Sequence, residues 1–194
     1  MPCTNSDILP VNTMNRLVVS LLVLFLTVLD RCIEAKYAFD LSPIAECDNG
    51  EAFINIDLDN FQIINRENGD IAYNGSMKFL KDYSSPIKLK IVSKRLQRGT
   101  WLPGILNKEI GDFCRAMGNP LEPGVYKTTE NIDKRCPFEA GFVQKFDMVE
   151  VGSYGMDIPP SFAGDWKFYV NVYTFRNRRL DHECISVEST IYEV

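Results

Sequence analysis

The sequence predicts an all-β domain, a β-sandwich with one short helix and two disulfides. Three observations lead there: apolar and polar residues alternate with period two in successive segments, turn-forming residues separate those segments, and four cysteines remain once an N-terminal leader is set aside.

The leader is read from Leu17 to Leu29, a run that is apolar apart from Ser20 and Thr27, follows the positive Arg16 and stops at Asp30-Arg31. A membrane-crossing helix needs about 20 apolar residues. The run is too short for that and has the form of a signal-peptide core, so residues 1–35 are expected to be a signal peptide cleaved after the small Ala35. Met14 is a second candidate start, because Met1 to Thr13 is unusually polar for such a peptide. The protein is therefore expected to be secreted and extracellular. Residues 36–194 form one domain, long enough to bury about 70% of its unfolded surface.

Removing the leader takes Arg16 and Arg31, and also Asp7, Asp30 and Glu34, from totals of 21 basic and 26 acidic residues, which leaves a net charge near −4. A nucleic-acid partner would need a basic face against phosphates. The local basic clusters are Lys88 to Arg98, which reads as the polar side of a strand, and Arg176 to Arg179, so no nucleic-acid binding is expected.

Cys3 and Cys32 fall in the leader, and Cys47, Cys114, Cys136 and Cys184 remain. An even number in an oxidising compartment implies two disulfides, with three pairings open. The long separations between these cysteines lack the close pairs of a zinc site.

The elements follow in order. Ala52 to Leu58 sets Ile54, Ile56 and Leu58 on one face of a strand and Asn55 and Asp57 on the other, and Phe61 to Asn65 continues after a break at Asp59-Asn60. Arg66-Glu67-Asn68-Gly69 reads as a hairpin turn, since Asn-Gly tolerates positive φ. Asp70 to Tyr83 resumes with Ile71, Tyr73, Met77 and Phe79 on one side, and Asn74-Gly75 in its middle marks a bulge or a second turn. Pro86 to Lys94 places Ile87, Leu89 and Ile91 opposite Lys88 and Lys90, a half-buried strand. Toward residue 118 the period changes: Ile110, Phe113, Cys114 and Met117 fall at helical spacing, with Asn107 placed to cap the helix and Gly118 to end it. Asn119 to Lys134 is punctuated by proline and glycine and reads as irregular. Extended segments return at Cys136 to Val143, Lys145 to Tyr154 and Trp166 to Phe175, with Pro159-Pro160 in the loop before the last. A charged turn, Asn177 to Asp181, leads to the final strand, Cys184 to Val194. Short strands of this number, with one small helix and two disulfides, make a sandwich.

No enzymatic chemistry is expected. His182, in the charged turn Arg178 to Glu183, is the only histidine, so any Ser-His-Asp or Cys-His system would have to use it, and it reads as a surface residue. A Gly-x-Ser-x-Gly motif and phosphate-binding glycine loops are absent, and nothing selects a carboxylate pair of the glycosidase kind. No cofactor or metal is implied. Asn74-Gly75-Ser76 is an N-glycosylation sequon in a secreted context, which makes Asn74 a candidate glycosylation site at the surface.

Three stretches carry a family resemblance: Phe113-Cys114; Cys136-Pro137-Phe138-Glu139-Ala140-Gly141-Phe142; and Pro159-Pro160 with Phe162-Ala163-Gly164-Asp165-Trp166-Lys167-Phe168 ahead of Cys184. Together they resemble the ML lipid-recognition family over about residues 45–192, and within it the divergent insect branch of the chemosensory CheB proteins. The resemblance implies an immunoglobulin-like sandwich whose sheets splay around a lipid tail. It also implies pairing of Cys47 with Cys184 and of Cys114 with Cys136, the pairing favoured here. The chain departs from the better-studied members in having four mature cysteines where six are usual, and in carrying a helix before the second.

Under that resemblance the inward apolar positions Phe79, Ile91, Phe113 and Phe138 are candidates to line a lipid cavity, together with Phe142, Phe168, Val170 and Val172. The plainer reading makes them ordinary packed core. Trp101 and Trp166 admit the same two readings, a cavity mouth or a structural tryptophan. Such a site needs no special chemistry, because transfer of apolar surface out of water is worth about 25 cal/mol per Å². The expected function is a secreted binding protein that carries a lipid or other hydrophobic small molecule between two sheets, in insect chemosensation such as pheromone detection. A membrane receptor is a further partner that this reading admits. The alternative is an extracellular protein-binding accessory module without a cavity, and a hydrolase stands third.

Overall fold

The computed structural model describes residues 37–67, 69–130, 132–133, 136–151, 158–176 and 179–194, and the expected signal peptide lies outside them. In chain order the elements are β1 (Tyr37–Leu41), β2 (Ala45–Glu46), β3 (Ile56–Asp57), β4 (Phe61–Asn65), β5 (Ile71–Phe79), β6 (Ile87–Gln97), β7 (Thr100–Pro103) and β8 (Lys108–Ile110). Two short helices follow, α1 (Phe113–Ala116) and α2 (Pro123–Thr129), then β9 (Val143–Glu150), a 3₁₀ turn at Pro160–Phe162, β10 (Gly164–Arg176) and β11 (Arg179–Glu193).

The larger sheet runs β1-β11-β10-β6-β7, with β2 added to β11 and β8 to β6; in the smaller one β5 is central, with β3 and β4 as neighbours and β9 also paired to it. Every pairing is antiparallel, and the two sheets pack face to face as an all-β sandwich. Alternation decides the faces. On β10, Trp166 packs with Ile71 and Val172 with Phe79, both from the other sheet, so Phe168 and Val170 between them also point inward. The disulfides join Cys47 to Cys184 and Cys114 to Cys136, with Cα separations of 5.9 and 5.5 Å. Two such bonds are compatible with an extracellular protein.

The expected hairpin joins β4 to β5, with Asn68 itself outside the described residues: the Gly69 N–H donates to the Arg66 carbonyl and the Arg66 N–H to the Asp70 carbonyl, both at 2.9 Å. Gly75 marks a bulge and not a second turn. Against β9 the register shifts between Tyr73 and Gly75, so that Asp147 and Met148 stand opposite the single Asn74, and Met148 takes φ +50°. Gly75 itself has φ +98°, and a Cβ there would lie 1.6 Å from the Asn60 carbonyl oxygen, so no other residue fits.

Other segments differ from the sequence reading. Only Ile56–Asp57 of the Ala52 to Leu58 stretch pairs as a strand, and Ile54 is 73% exposed, because the chain is held beside it by the Asn55 carbonyl, which accepts from the Leu80 N–H at 2.8 Å. The hairpin β6–β7 turns on Arg98-Gly99, both at positive φ, a two-residue turn without the usual asparagine. The helix expected from Asn107 shrinks to α1. Asn107 instead braces the β7–β8 loop, its Oδ1 accepting from the Ser93 N–H (2.8 Å) and its Nδ2 donating to the Gly104 carbonyl (3.0 Å). Lys108–Ile110 joins β6 as a strand, and Asp112 is the true N-cap, accepting from the Cys114 N–H at 3.1 Å. The stretch read as irregular contains α2, started by Pro123 in its first turn and tied to α1 by Thr129, whose hydroxyl lies 3.2 Å from the Met117 carbonyl. Cys136 to Val143 supplies an isolated bridge, Tyr83 with Phe138, in place of a strand.

Candidate functional site

Two apolar clusters close the ends of the sandwich. At one end Trp166, Ile71, Phe39, Leu41 and Ile191 are buried together; at the other Val172, Phe79, Tyr83, Ile87, Met117 and Phe138 are. Trp166 and Val172 are six residues apart on β10, about 20 Å at the rise of a strand. Between these ends the inward residues are only half-buried: Phe168 and Val170 on β10, Ile91 on β6, Ile185 and Val187 on β11, and Tyr73 and Met77 on β5. Strands β6, β10 and β11 each have neighbours on both sides. Their inward side chains face the opposite sheet. Val170, Ile91 and Ile185 belong to neither cluster and form one row in register across three strands.

The smaller sheet sets little side-chain volume at its own centre. Its central position, Gly75, has no side chain to send across, and its register partners Phe61 and Phe146 lean over it edge to face with ring centroids 5.3 Å apart. Tyr73 completes the group at 5.1 Å from Phe61 and 5.9 Å from Phe146. The three rings spend their volume against one another instead of reaching the opposite sheet.

A recess of about 400 Å³ opens between β2 and β3, lined by apolar residues such as Ile54, Leu80 and Ile185 and by the acidic Glu46, Asp57 and Asp59, within the 300–1,000 Å³ range of ligand pockets. Ile185 links the recess to the half-buried row. On the same side, beyond β2 and β3, the sheets are sewn together by Asn65, which donates from Nδ2 to the Leu41 carbonyl (2.7 Å) and accepts at Oδ1 from the Leu41 N–H (2.9 Å). The recess between β2 and β3 thus lies beside a closed seam.

The eight residues expected to line a cavity divide between these regions. Phe79, Phe113, Phe138, Phe142 and Val172 lie in or against the packed end, where Phe79 stacks on Phe138 at 4.7 Å. Phe168 sides with the other end, stacked 6.3 Å from Trp166. Ile91 and Val170 lie between the two clusters and belong to neither. Trp166 is 1% exposed, donates from Nε1 to the Phe162 carbonyl (2.7 Å) and has the Arg95 guanidinium 5.1 Å from its ring, so it is an end plug. Trp101 is half-buried on β7 opposite Leu96. Asn74 lies on β5, opposite Gln62, with its side chain half-buried on the outer face of the smaller sheet.

Sequence reasoning missed Ile185, Phe61 and the rim residues Ile54 and Leu80 as parts of the site. It also missed a buried polar group at the packed end. Glu183 is 3% exposed and accepts from the Tyr83 hydroxyl (2.5 Å) and from Asn55 Nδ2, with Lys81 Nζ 3.5 Å away; Lys81 also reaches Asp181 at 3.3 Å. Burial first, and then the hydrogen bond to Glu183 and its charge, push the Tyr83 phenol well above its ordinary range. Period two contains one signal: with Cys184 facing out to its disulfide, Glu183 and Ile185 must face in.

The outer face of the larger sheet carries a clamp. Asp48, next to the Cys47–Cys184 bond, accepts from the Tyr169 hydroxyl (2.5 Å) and from Lys94 and Lys167 (2.9 Å each). The Tyr169 hydrogen bond, then those of the two lysines, hold its carboxyl well below the usual carboxylate range. His182 lies on β11 and not in a turn. It is stacked on Tyr173 at 4.5 Å, with Nδ1 3.1 Å from Glu51 Oε2 and Nε2 2.9 Å from Asn171 Oδ1. A second recess, about 590 Å³ beside α1, is larger but lies outside the sandwich, and its charged residues are engaged in the pairs Lys88–Glu109, Lys108–Glu122 and Arg115–Asp112. It is a solvated groove.

No protein-family model matches the chain, and no curated protein matches it.

Proposed function

We propose that this protein is a secreted carrier that holds a lipid or other apolar small molecule between its two sheets and admits it through the gap between β2 and β3. The observation that carries the reading is the row Ile185, Val170 and Ile91, inward on interior strands yet half-buried, of which Ile185 also lines the recess between β2 and β3. The ML-type motifs around Cys136 and Trp166 support it. So does the separation of the buried residues into two end clusters with half-buried residues between them. Burial of an apolar chain in such a space is driven by water release alone. Native mass spectrometry of the secreted, disulfide-intact protein, followed by organic extraction, tests the reading. A stoichiometric apolar molecule, or stoichiometric uptake of a fluorescent fatty acid by the extracted protein, is expected. An empty protein that takes up no probe would leave the accessory-module reading in its place.

A further inference from the structure

Apart from the cavity, the strongest unexplained feature is the tip of the β10–β11 hairpin. Phe175 and Leu180 face each other across it, 62% and 56% exposed, on the outer face of the larger sheet. One step further out Arg176 and Arg179 occupy opposed register positions, and Arg178 follows in the connecting sequence. An exposed aromatic–aliphatic pair is locally unfavourable in water, and arginines clustered in the sequence repel one another. One environment relieves both: an apolar layer beneath anionic headgroups. The base of the hairpin lies against the mouth, because Asp181 and Glu183 hold Lys81 and Asn55, the immediate neighbours of the rim residues Leu80 (50% exposed) and Ile54. The basic tip stands out on a chain that is acidic overall.

We propose that the β10–β11 tip is a docking element for an anionic lipid surface, with Phe175 and Leu180 inserting at the headgroup level and Arg179 contacting the headgroups. The insertion is shallow and reversible: two large side chains and a few cations make a peripheral contact that salt weakens. The proposal rests on the hairpin and not on the cavity being filled.

The test is sedimentation of the secreted protein with vesicles of phosphatidylcholine alone and of an equal mixture of phosphatidylcholine and phosphatidylserine. Binding is expected to the mixed vesicles only, reversed by high salt, and about tenfold weaker in the Phe175→Ser, Leu180→Ser double variant. Arg179→Glu should weaken it as well. Phe175→Trp, which keeps an aromatic ring, should bind and show a blue-shifted emission on mixed vesicles, a readout that does not depend on how well the serine variant folds. Absence of binding to mixed vesicles, equal binding to both, or a Phe175→Trp emission unchanged by them overturns the proposal. A chain that docks but takes up no fatty-acid probe would retain the proposal and lose the carrier reading.

Discussion

Val170→Phe separates a hollow sandwich from a filled one by the sign of its effect. In a packed core the added ring atoms force off-rotamer side chains and backbone shifts, at about 1–3 kcal/mol. For a domain of this size each kcal/mol moves Tm by about 2–4 °C, so a filled interior predicts a loss of about 2–12 °C. Val170 has half-buried neighbours in register, Ile91 on one side and Ile185 on the other, and stands away from both clusters. In that space the new ring displaces water or ligand and replaces a half-exposed valine with a larger buried surface. The expectation is an unchanged or raised Tm for the ligand-free protein, together with loss of fatty-acid probe uptake. Val172→Phe is the control. It changes the same residue type on the same face of the same strand, two positions on, but among Phe79, Phe138 and Ile56, and should cost the full about 1–3 kcal/mol. Calorimetric melts of the extracted proteins and a probe titration give both readouts. A Val170→Phe protein that melts as low as Val172→Phe, or that binds probe as well as the parent, would refute the reasoning.

Three further outcomes follow from the polar groups and the disulfides. Asp48 has a depressed pKa in the folded state, so its contribution is fully present above the ordinary carboxylate pKa of about 4 and is lost as pH falls below it. Because its side chain is half-exposed, Asp48→Asn should cost no more than about 1 kcal/mol at neutral pH, and urea melts should show that difference fading as the pH is lowered below about 4. Tyr83→Phe removes a donor from a buried carboxylate and should cost about 1.5–3 kcal/mol by urea unfolding, while spectrophotometric titration of the parent should leave one tyrosine un-ionised through the normal phenol range. Replacing Cys47 and Cys184 by serine opens a loop of 137 residues and should cost about 5 kcal/mol, against about 3 kcal/mol for the 22-residue loop of Cys114 and Cys136, measured on the paired variants by thermal unfolding.

Period two made most strands legible, because half-buried antiparallel strands sort their residues by face. The pairs Lys88 with Leu89 and Lys90 with Ile91 are enough to place β6. Spacing failed where a residue's tertiary partner outbid its local tendency. Asn107 has a capping side chain, but Ser93 and Gly104 claim it, and the real cap, Asp112, lies five positions later. His182 sits among charges that read as a turn, yet Tyr173 and Asn171 on β10 carry the hairpin past it. The site was less legible than the fold. An alternating strand shows which residues face in, but Val170 and Val172 are identical in type and parity, and only tertiary packing tells them apart: Val172 is buried with Phe79 and Phe138, whereas Val170 is half-buried and belongs to neither cluster.

The two sides of the mouth are held very differently, and that asymmetry determines which of them can move. The β2 side is fixed to β11 by strand pairing, by the Ser186 hydroxyl donating to the Glu46 carbonyl (2.7 Å), by the Cys47–Cys184 bond and by the three donors on Asp48. The facing stretch from Ala52 to Leu58 is held by a two-residue strand, the Asn55 side chain, the backbone bond from Leu80 and the packing of Phe53, Ile56 and Leu58 at that end, with Ile54 left exposed. Local opening follows the weaker set of contacts. Widening of the mouth therefore falls on the Ile54 side, while the disulfide and the Asp48 clamp keep the β2 wall, with Ile185 behind it, in a fixed position against the row of side chains that a ligand would touch.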